Sequence, residues 1–361
     1  MSLRITVIGC GAGALATAAD LAMRGTEITI YVGKDHFHNL EKIRETGIIR
    51  CSGKIKGEAN IRKATWDLDE ALEDVDLLLV VTPTNAHEEI AKSLKGKLKP
   101  GSKIILSPGS TGGALVFAKH LKDTVISEIH TLPYTVRKTG ENEVYIYLIV
   151  RYLLFATFPS CKGEEIYRLA NSLYPLIHCE SVLETSLNNG NATTHPAPLV
   201  LNAGKIEYQG RHSHYAEGIT PSVGKVIQKI DDERKNICRA FEYEELDIKE
   251  RLYKMGYCPF EDTVYECIQG STRVFLPIEG PHTLNNRYLT EDTPYSLVAM
   301  RSIASLAGVE TPLRDSVIEL GGALMGTDYL KTGRNLKAMG IDGMSIEELK
   351  EYLKTGERSK E

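Results

Sequence analysis

The sequence lacks a long hydrophobic run, an excess of one charge and a basic block, and each absence excludes a class of function. No apolar stretch approaches the length needed to cross a bilayer, so an integral membrane protein is not expected. The 43 lysines and arginines nearly balance the 48 aspartates and glutamates, which leaves a net charge of −5. That balance argues against nucleic acid or an anionic membrane surface as the main partner. The expected partners are therefore small molecules.

Paired cysteine motifs and internal repeats are also missing. The seven cysteines include no C-x-x-C pair, which is typical of reduced, mostly buried thiols and predicts neither a disulfide framework nor a metal site. The segment Met1–Arg4 leads directly into a core strand and leaves no room for a secretory signal, so a cytoplasmic location is expected. A chain of 361 residues exceeds the usual size of one domain, and two domains with separate cores are expected.

The first part of the chain has the pattern strand, glycine-rich turn, helix, strand. An apolar run, Leu3–Ile8, precedes a glycine-rich turn at residues 9–14, and an alanine-rich segment leads to the β-rich run Glu27–Val32. The turn matches G-x-G-x-x-G/A, in which bare backbone and the N-terminus of a helix receive a pyrophosphate. The predicted cofactor contacts are Gly9, Gly11, Gly13 and Ala14. A purely structural turn is the alternative.

The end of the second predicted strand bears on the choice between NAD and NADP, because NAD sites usually place an acidic residue there to bind the ribose 2′-hydroxyl. Val32 and Gly33 occupy this position, and Lys34 follows, where its charge can meet a 2′-phosphate. The sequence therefore favours NADP over NAD. In the alternative interpretation, Lys34 is a solvated loop residue and Asp35 reaches the ribose of NAD.

Further strands are predicted along the first half. The run Asp76–Val81 is apolar enough for a central parallel strand, and Thr82 and Pro83 directly after it are expected to border the cofactor. A simple turn explains these two residues nearly as well. The β-branched and aromatic run at residues 143–158 is predicted to extend the same sheet.

The second half changes character, because long segments with helical apolar periodicity replace the strands from about Leu183 onward. We therefore expect an α/β protein with two domains. Residues 1–182 form a Rossmann NAD(P)-binding domain in this prediction, and residues 183–361 form a mostly α-helical substrate and catalytic domain. Apolar helices such as the one at Val298–Ala307 serve either the core or the face of a homodimer, and periodicity does not separate the two.

Two polar segments of the second half contain residue types that suit proton transfer. Asn188–Pro196 places His195 directly before a proline, and Arg287–Tyr295 contains an arginine and two carboxylates. A histidine titrates near neutral pH, and a carboxylate partner fixes its tautomer and supports its charged form. An arginine can clamp a substrate carboxylate through two parallel hydrogen bonds. A lone histidine is nevertheless more often a structural residue than a catalytic one.

Motifs along nearly the whole chain resemble the octopine/nopaline (opine) dehydrogenase family. The residues that carry the resemblance are, in order, the turn at 9–14, Thr131–Tyr134 with Arg137, Asn191 to His195-Pro196, Asn202–Gly204, and Glu291-Asp292 with Pro294-Tyr295. The resemblance implies a Rossmann domain followed by a helical domain. It also implies that an α-keto acid and the amino group of an amino acid form an imine, which NAD(P)H reduces to a secondary-amine dicarboxylic acid.

The resemblance also assigns roles to individual residues. It implies that His195 is the acid and base, that Asp292 orients it and that Arg287 anchors a substrate carboxylate. Asn191 is expected to contact substrate, although an Asx-turn that holds the loop explains it equally well. Ser296 departs from the glycine expected after Pro294-Tyr295, which puts the predicted turn there in question.

Other interpretations stay open. His212 and His214 suggest a metal site with His195, but two histidines in a polar loop are more often solvated, and no metal is predicted. A 2-hydroxy-acid, ketopantoate or glycerol-3-phosphate type dehydrogenase would share the Rossmann half and use a lysine as proton donor, for which Lys205 is the residue to check. A dinucleotide-binding sensor without catalysis is the alternative from another class.

Overall fold

The computed structural model describes residues 2–358, so Met1 and the last three residues of the second predicted domain lie outside the described residues. The chain divides into two compact units. The first comprises the chain up to Gly109 together with Gly113–Val182, and the second comprises Ser110–Gly112 and the chain from Leu183 onward. Every helix among residues 2–358 is too short or too polar to cross a membrane.

All strands of the described chain belong to the first unit. They are β1 (Arg4–Ile8), β2 (Glu27–Tyr31), β3 (Ile48–Gly53), β4 (Gly57–Asn60), β5 (Lys63–Thr65), β6 (Leu77–Val80), β7 (Lys103–Leu106), β8 (Val125–Ile129), β9 (Tyr134–Gly140), β10 (Glu143–Ile149), β11 (Leu153–Phe158) and β12 (Leu176–His178). Eight of them form a sheet in the order β12-β11-β8-β7-β6-β1-β2-β5. Neighbours in it are parallel except β8 and β11, which are antiparallel.

The central strands of this sheet are buried on both faces, as their apolar sequences predict. β6 is fully buried and lies between β1 and β7, which confirms the predicted central strand. The chain order reverses between β1 and β6, so this is the switch point at which open α/β sheets bind ligands beyond the carboxyl ends of their strands. The glycine-rich turn follows β1 and Thr82 follows β6, so both sequence motifs lie at this point.

The prediction that residues 143–158 extend one sheet is wrong for β10. A second sheet has the order β4-β3-β10-β9, in which β10 pairs with β9 and β3, whereas β11 joins the large sheet. The two strands differ in pattern. Buried and more exposed residues alternate along β10, as in a sheet with one covered face, and every residue of β11 is buried. A β-rich composition predicts strands without specifying their partners.

Six helices and three 3₁₀ segments complete the first unit. The helices are α1 (Ala12–Met23), α2 (Glu41–Thr46), α3 (Leu68–Leu72), α4 (His87–Leu94), α5 (Gly113–His120) and α6 (Glu164–Leu173), and the 3₁₀ segments are Lys34–Leu40, Thr84–Ala86 and Ser160–Lys162. Small residues such as Ala16, Ala18 and Ala19 are buried along α1, which allows the helix to pack closely on the sheet.

The second unit is helical, as predicted. Its helices are α7 (Val182–Leu187), α8 (Asn191–Thr194), α9 (Pro196–Leu201), α10 (Ala203–Gln209), α11 (Pro221–Ala240), α12 (Ile248–Met255), α13 (Val264–Gln269), α14 (Arg287–Thr290), α15 (Val298–Leu306), α16 (Pro312–Met325), α17 (Tyr329–Thr332), α18 (Leu336–Met339) and α19 (Ile346–Thr355). A π-helical turn, Thr293–Leu297, precedes α15. The longest helix, α11, starts at the N-cap Thr220, whose side chain accepts from the Val223 N–H, with proline at the next position.

Ser110–Gly112 belongs to the second unit although it lies far from the rest of that unit in sequence. Gly112 N donates to Ser186 Oγ at 2.9 Å, and Arg334 Nη1 donates to the Thr111 carbonyl at 2.7 Å. Asn189 Nδ2 also contacts Thr111 Oγ1 at 3.4 Å. Nothing in the sequence of this glycine-rich loop indicates these distant partners.

Candidate active site

The glycine-rich turn has the geometry of a phosphate-binding loop. Gly9 has a φ of +129°, and a Cβ there would lie 2.2 Å from the Val81 carbonyl oxygen, so only glycine fits. Gly11 is the N-cap of α1, and no atom of the described chain lies within 4 Å of a Cβ built there. Gly13 meets Leu132, whose Cδ2 would lie 2.8 Å from an added Cβ. The turn thus brings bare backbone to the positive end of a helix dipole and leaves space before it.

The residues after β6 supply a polar neighbour for this turn. Thr82 Oγ1 is buried and has no hydrogen-bond partner among the described residues. Pro83 is exposed and starts the turn into the 3₁₀ segment Thr84–Ala86. A buried hydroxyl without a partner beside an open phosphate-binding turn fits a bound dinucleotide, because a ligand would supply the missing hydrogen bond.

The end of β2 carries more positive charge than the sequence analysis recognised. Lys34 is exposed at the start of the 3₁₀ segment. The Arg44 guanidinium lies over Trp66, 5.1 Å from the ring centroid, and over Phe37 at 5.5 Å. Trp66 directly follows β5, the strand that pairs with β2, so this stack lies at the same carboxyl edge of the sheet as Lys34. Arg44 was missed because its charge has no motif.

His195 lies between two short helices of the second unit. It follows α8, and Pro196 begins α9. Its Nδ1 lies 2.8 Å from Asp292 Oδ2, and both side chains are buried. Asp292 stands between α14 and the π-helical turn. The structure therefore places the predicted histidine and carboxylate in direct contact across 97 residues of sequence.

Burial dominates the electrostatics of Asp292. Desolvation raises the pKa of this carboxyl to about 7, and the charge of Arg287 offsets part of that effect. A carboxyl with this pKa can both take up and release a proton near neutral pH. The site can therefore both donate and accept a proton under physiological conditions.

Arg287 lies one helical turn before Asp292. Its Nε forms an ion pair with Glu291 Oε2 at 3.1 Å, and its side chain is 56% exposed. Desolvation disfavours its charge, but Glu291 and Asp292 outweigh that effect and hold the pKa of Arg287 above its usual value. The arginine is therefore a permanent cation held by Glu291, close enough to act on Asp292 and open to a ligand.

Aromatic residues that the sequence analysis missed surround His195. Tyr288 stacks on the imidazole with centroids 3.8 Å apart and an interplanar angle of 14°. The hydroxyl of Tyr215 lies 3.0 Å from His195 Nε2. Neither tyrosine is distinguishable in sequence from an ordinary core residue. Only their separation in the fold shows that they meet the same ring.

The interpretation of His212 and His214 as solvated residues is wrong. His212 is 2% exposed and His214 is fully buried, where Nε2 donates to the Thr194 carbonyl at 2.9 Å. Burial lowers the pKa of His214 to about 3, and it also lowers the pKa of His212. Both rings therefore stay neutral. In residues 2–358, no three His, Cys, Asp or Glu side chains are grouped closely enough to hold a metal ion.

Three further residues from the sequence analysis have definite places. Ser296 lies in the π-helical turn, where its Oγ accepts from Asn189 Nδ2 at 2.9 Å, so the turn doubted at this position is a helix. Asn191 begins α8 and is partly exposed. Lys205 pairs with Glu217 at 2.9 Å on the surface. Ser296 thus supports the segment that carries Asp292, and Lys205 is engaged elsewhere.

Comparisons with known proteins agree with this architecture. Residues 178–325 match the family described as NAD/NADP octopine/nopaline dehydrogenase, alpha-helical domain. Residues 4–129 match the family described as NAD-dependent glycerol-3-phosphate dehydrogenase N-terminus. The chain is 35% identical over 346 residues to an opine dehydrogenase of Arthrobacter sp. (strain 1C), covering 94% of this chain and 95% of the relative.

Solved structures show the same fold. An octopine dehydrogenase in complex with NADH and agmatine superimposes with a TM-score of 0.81 at 18% identity, covering all of both chains. A yersinopine dehydrogenase with NADP+ bound superimposes with a TM-score of 0.73 at 14% identity, covering 98% of each chain. At these identities the likeness concerns the fold.

Proposed function

Since the chain belongs to the opine dehydrogenase family and is an NAD(P)-dependent oxidoreductase, we propose that His195, Asp292 and Arg287 carry its chemistry. The reaction joins an α-keto acid to the amino group of an amino acid, with reduction of the resulting imine. The observation that carries the assignment of residues is the 2.8 Å contact between His195 Nδ1 and Asp292 Oδ2, with the Arg287 cation beside it. The substrates are small molecules.

The first unit holds the cofactor in this proposal. NAD(P)H supplies the hydride when it is bound. Gly9, Gly11 and Gly13 together with Ala14 let the backbone approach the pyrophosphate, and Thr82 and Pro83 border the dinucleotide. The unpartnered Thr82 hydroxyl and the open space at Gly11 support this assignment. Residues 1–182 accordingly bind the cofactor, and residues 183–361 bind the substrates and deliver protons.

His195 performs the proton transfers. With Asp292 accepting from Nδ1–H, the reactive atom is Nε2. During condensation the imidazolium Nε2–H protonates the hydroxyl of the amine adduct, which leaves as water. The nitrogen keeps its hydrogen and becomes a protonated imine, so hydride addition to its carbon gives the secondary amine directly. In the opposite direction, Nε2 accepts a proton from the water molecule that adds to the protonated imine. Asp292 stabilises the imidazolium between these steps.

Arg287 anchors a carboxylate of the substrate. Both substrates and the product carry carboxylates, and a planar guanidinium binds them through two parallel hydrogen bonds. The contact of Glu291 with Nε fixes the side chain at one edge. Asn191, one helical turn before His195, contacts the substrate in the same proposal, since it is partly exposed at the start of α8.

The cofactor preference is proposed to be NADP. Lys34 and Arg44 are two cations at the carboxyl ends of β2 and β5, where a 2′-phosphate would lie. The acidic residue that NAD sites usually have at the end of the second strand is replaced here by Val32 and Gly33. Trp66 is the only tryptophan of the chain, so its quenching by NADPH or NADH reports binding. Lys34→Ala and Arg44→Ala should each weaken NADPH binding by about tenfold and leave NADH binding unchanged. Arg62→Ala, at an exposed arginine, is the control. An equal loss for both cofactors would contradict the preference.

Purified protein should oxidise NADPH or NADH only when an α-keto acid and an amino acid are both present. The test is absorbance at the nicotinamide band against a panel of α-keto acids, each with and without mixed amino acids. Oxidation with the keto acid alone would identify a 2-hydroxy-acid or ketopantoate type enzyme, and binding without oxidation would identify a sensor. The engagement of Lys205 by Glu217 favours the imine reaction over those lysine-dependent types.

Assembly and location complete the proposal. Two copies form a homodimer, because helices such as α16 expose large apolar side chains, Leu320 and Leu324 among them. Sedimentation of the purified protein tests this. A cytoplasmic location, expected from the sequence, is tested by fractionating cells of the source organism.

A further inference from the structure

The Nε2 atom of His195, which delivers the proton in the proposed reaction, already has a hydrogen-bond partner. The hydroxyl of Tyr215 lies 3.0 Å from it. Asp292 holds the opposite nitrogen at 2.8 Å, so the imidazole is fixed between two polar groups from different parts of the helical unit. Neither the family resemblance nor the sequence motifs include Tyr215.

The position of the Tyr215 ring is set by packing that does not need its hydroxyl. The ring stacks on Phe275 with centroids 4.5 Å apart, and Phe275 stacks on Tyr257 at 5.1 Å with almost parallel planes. We call Tyr215, Phe275 and Tyr257 the aromatic stack. Gln269 Nε2 also donates to the Tyr215 carbonyl at 3.1 Å, which fixes the backbone. A phenylalanine would fill the same space, so the contribution of the hydroxyl is its hydrogen bond to His195.

The surrounding groups define which way that hydrogen bond runs. His195 faces Asp292 at Nδ1, the Tyr288 ring on one face and His214 at an edge, with centroids of the two histidines 5.8 Å apart. Arg287 acts on Asp292, and Glu291 pairs with Arg287. When the His195–Asp292 pair holds a single proton, that proton lies on Nδ1 facing the carboxylate, and Nε2 carries a lone pair. The phenol is then the donor and Nε2 the acceptor.

We propose that Tyr215 is a positioning residue for proton transfer: its hydroxyl donates to His195 Nε2, fixes the ring and favours the state in which that nitrogen is unprotonated. A phenol is a stronger donor than acceptor, so its hydrogen bond stabilises the neutral imidazole more than the imidazolium. Asp292 acts in the opposite sense by favouring the charged ring. The two contacts together keep His195 able to exchange a proton near neutral pH.

The inference rests on the proposed role of His195, and Tyr215→Phe tests it. Removing the hydroxyl should raise the pH at which the His195–Asp292 pair takes up its second proton by roughly half to one unit, the shift expected from one hydrogen bond to the neutral form. It should lower kcat by about tenfold, because the ring loses one of its two anchors. The KM of the keto acid and the Kd of NADPH should stay unchanged.

Two measurements follow the effect. The pH profile of kcat reports the proton exchange during turnover, and nitrogen NMR of histidine-labelled protein reports the tautomer and titration of His195 without turnover. Tyr257→Phe is the matched control, since it removes a hydroxyl from the same aromatic stack without touching His195, and it should leave both readouts at wild-type values.

The outcomes separate the inference from its premise. The inference is supported if the pH of second-proton uptake rises and kcat falls in Tyr215→Phe but not in Tyr257→Phe. If Tyr215→Phe has the same His195 titration and the same pH profile of kcat as the wild type, the inference is overturned. It is also overturned if NMR of the wild-type protein shows that His195 keeps its proton on Nε2 at high pH. If His195→Gln retains full turnover, the proposed role of His195 fails, and the inference fails with it.

Discussion

The two units present their functional groups in opposite ways. In the first unit the predicted cofactor site lies in one short segment at residues 9–14, where backbone conformation makes the site. In the second unit, His195, Tyr215 and Asp292 come from three separated segments, and side-chain contacts make the site. A backbone site is visible in a local pattern, whereas a side-chain site becomes visible only when the fold brings its parts together.

If the second unit supplies the proton, losing His195 should have the largest effect. His195→Ala should lower kcat by about a hundredfold or more, because no other group at Nε2 can exchange a proton near neutral pH. The Kd of NADPH should stay close to wild type, since the cofactor contacts lie in the first unit. His282→Ala, an exposed histidine of the same unit, is the control. Near wild-type turnover in His195→Ala would remove it from the mechanism.

Two substitutions in the glycine-rich turn should impair it through different effects, one on cofactor binding and one on stability. Gly11→Ala should weaken NADPH by about tenfold with an unchanged Tm, because the methyl enters the open space where the pyrophosphate binds. Gly9→Ala should instead lower the Tm by about 5 °C or more, because φ is +129° and the Val81 carbonyl leaves no room.

Gly25→Ala is the control for the glycine pair. It has a φ of +93° and no atom within 4 Å of an added Cβ, so it isolates the cost of the backbone conformation. Wild-type NADPH binding in Gly11→Ala would show that the open space at Gly11 has no bearing on binding.

The substrate anchor should respond to a change of shape at constant charge. Arg287→Lys should raise the KM of the keto acid by several-fold to about tenfold with a smaller change in kcat, because an ammonium cannot form two parallel hydrogen bonds. Arg211→Lys alters a similarly exposed arginine beside Glu279 in the same unit and should change neither constant. Steady-state kinetics with a varied keto acid decides, and an unchanged KM in Arg287→Lys would exclude it as the anchor.

A further effect should be on stability, and it depends on pH. The pKa of Asp292 is raised by burial from 3.8 to about 7, so the folded protein keeps a proton that the unfolded chain has released. The stabilisation that Asp292 provides by retaining this proton is therefore fully present below about pH 4 and is lost as the pH rises to about 7. The Asp292→Asn variant has no carboxyl to titrate at this position, so it does not lose this stabilisation. The difference between its Tm and the wild-type Tm should therefore rise across that pH range and then stay constant.

Thermal unfolding between about pH 4 and pH 8 measures this difference. Asp35→Asn, at an exposed carboxylate of the first unit, is the control. If the Tm difference between Asp292→Asn and the wild type does not change with pH, it would contradict the proposed cost of burying the charge of Asp292.

Sequence predicted the parts of the molecule that depend on neighbouring residues. The strand, turn and helix at the N-terminus, the central strand β6 and the long helices α11 and α16 follow from local periodicity, and all are present. The separate sheet containing β10 was not predicted, because pairing partners are set by distant strands. For the same reason the aromatic neighbours of His195 and the burial of His214 were missed.

The assignment of Asp292 and Arg287 came from resemblance to a family rather than from spacing. Nothing within residues 287–295 alone distinguishes a carboxylate that meets a histidine from one that faces solvent. The contact with His195 in the structure and the pKa raised by burial are the physical observations that now accompany that assignment.

The placement of Ser110–Gly112 affects how the family can be recombined. Thr111 and Gly112 are held by Ser186, Asn189 and Arg334, so the helical unit is built from two separate stretches of the gene. A chimera that exchanges everything after residue 182 between two relatives would leave a foreign tripeptide inside the new helical unit. Exchanging the tripeptide as well should give hybrids that fold, which makes residue 110 as much a crossover point as residue 183.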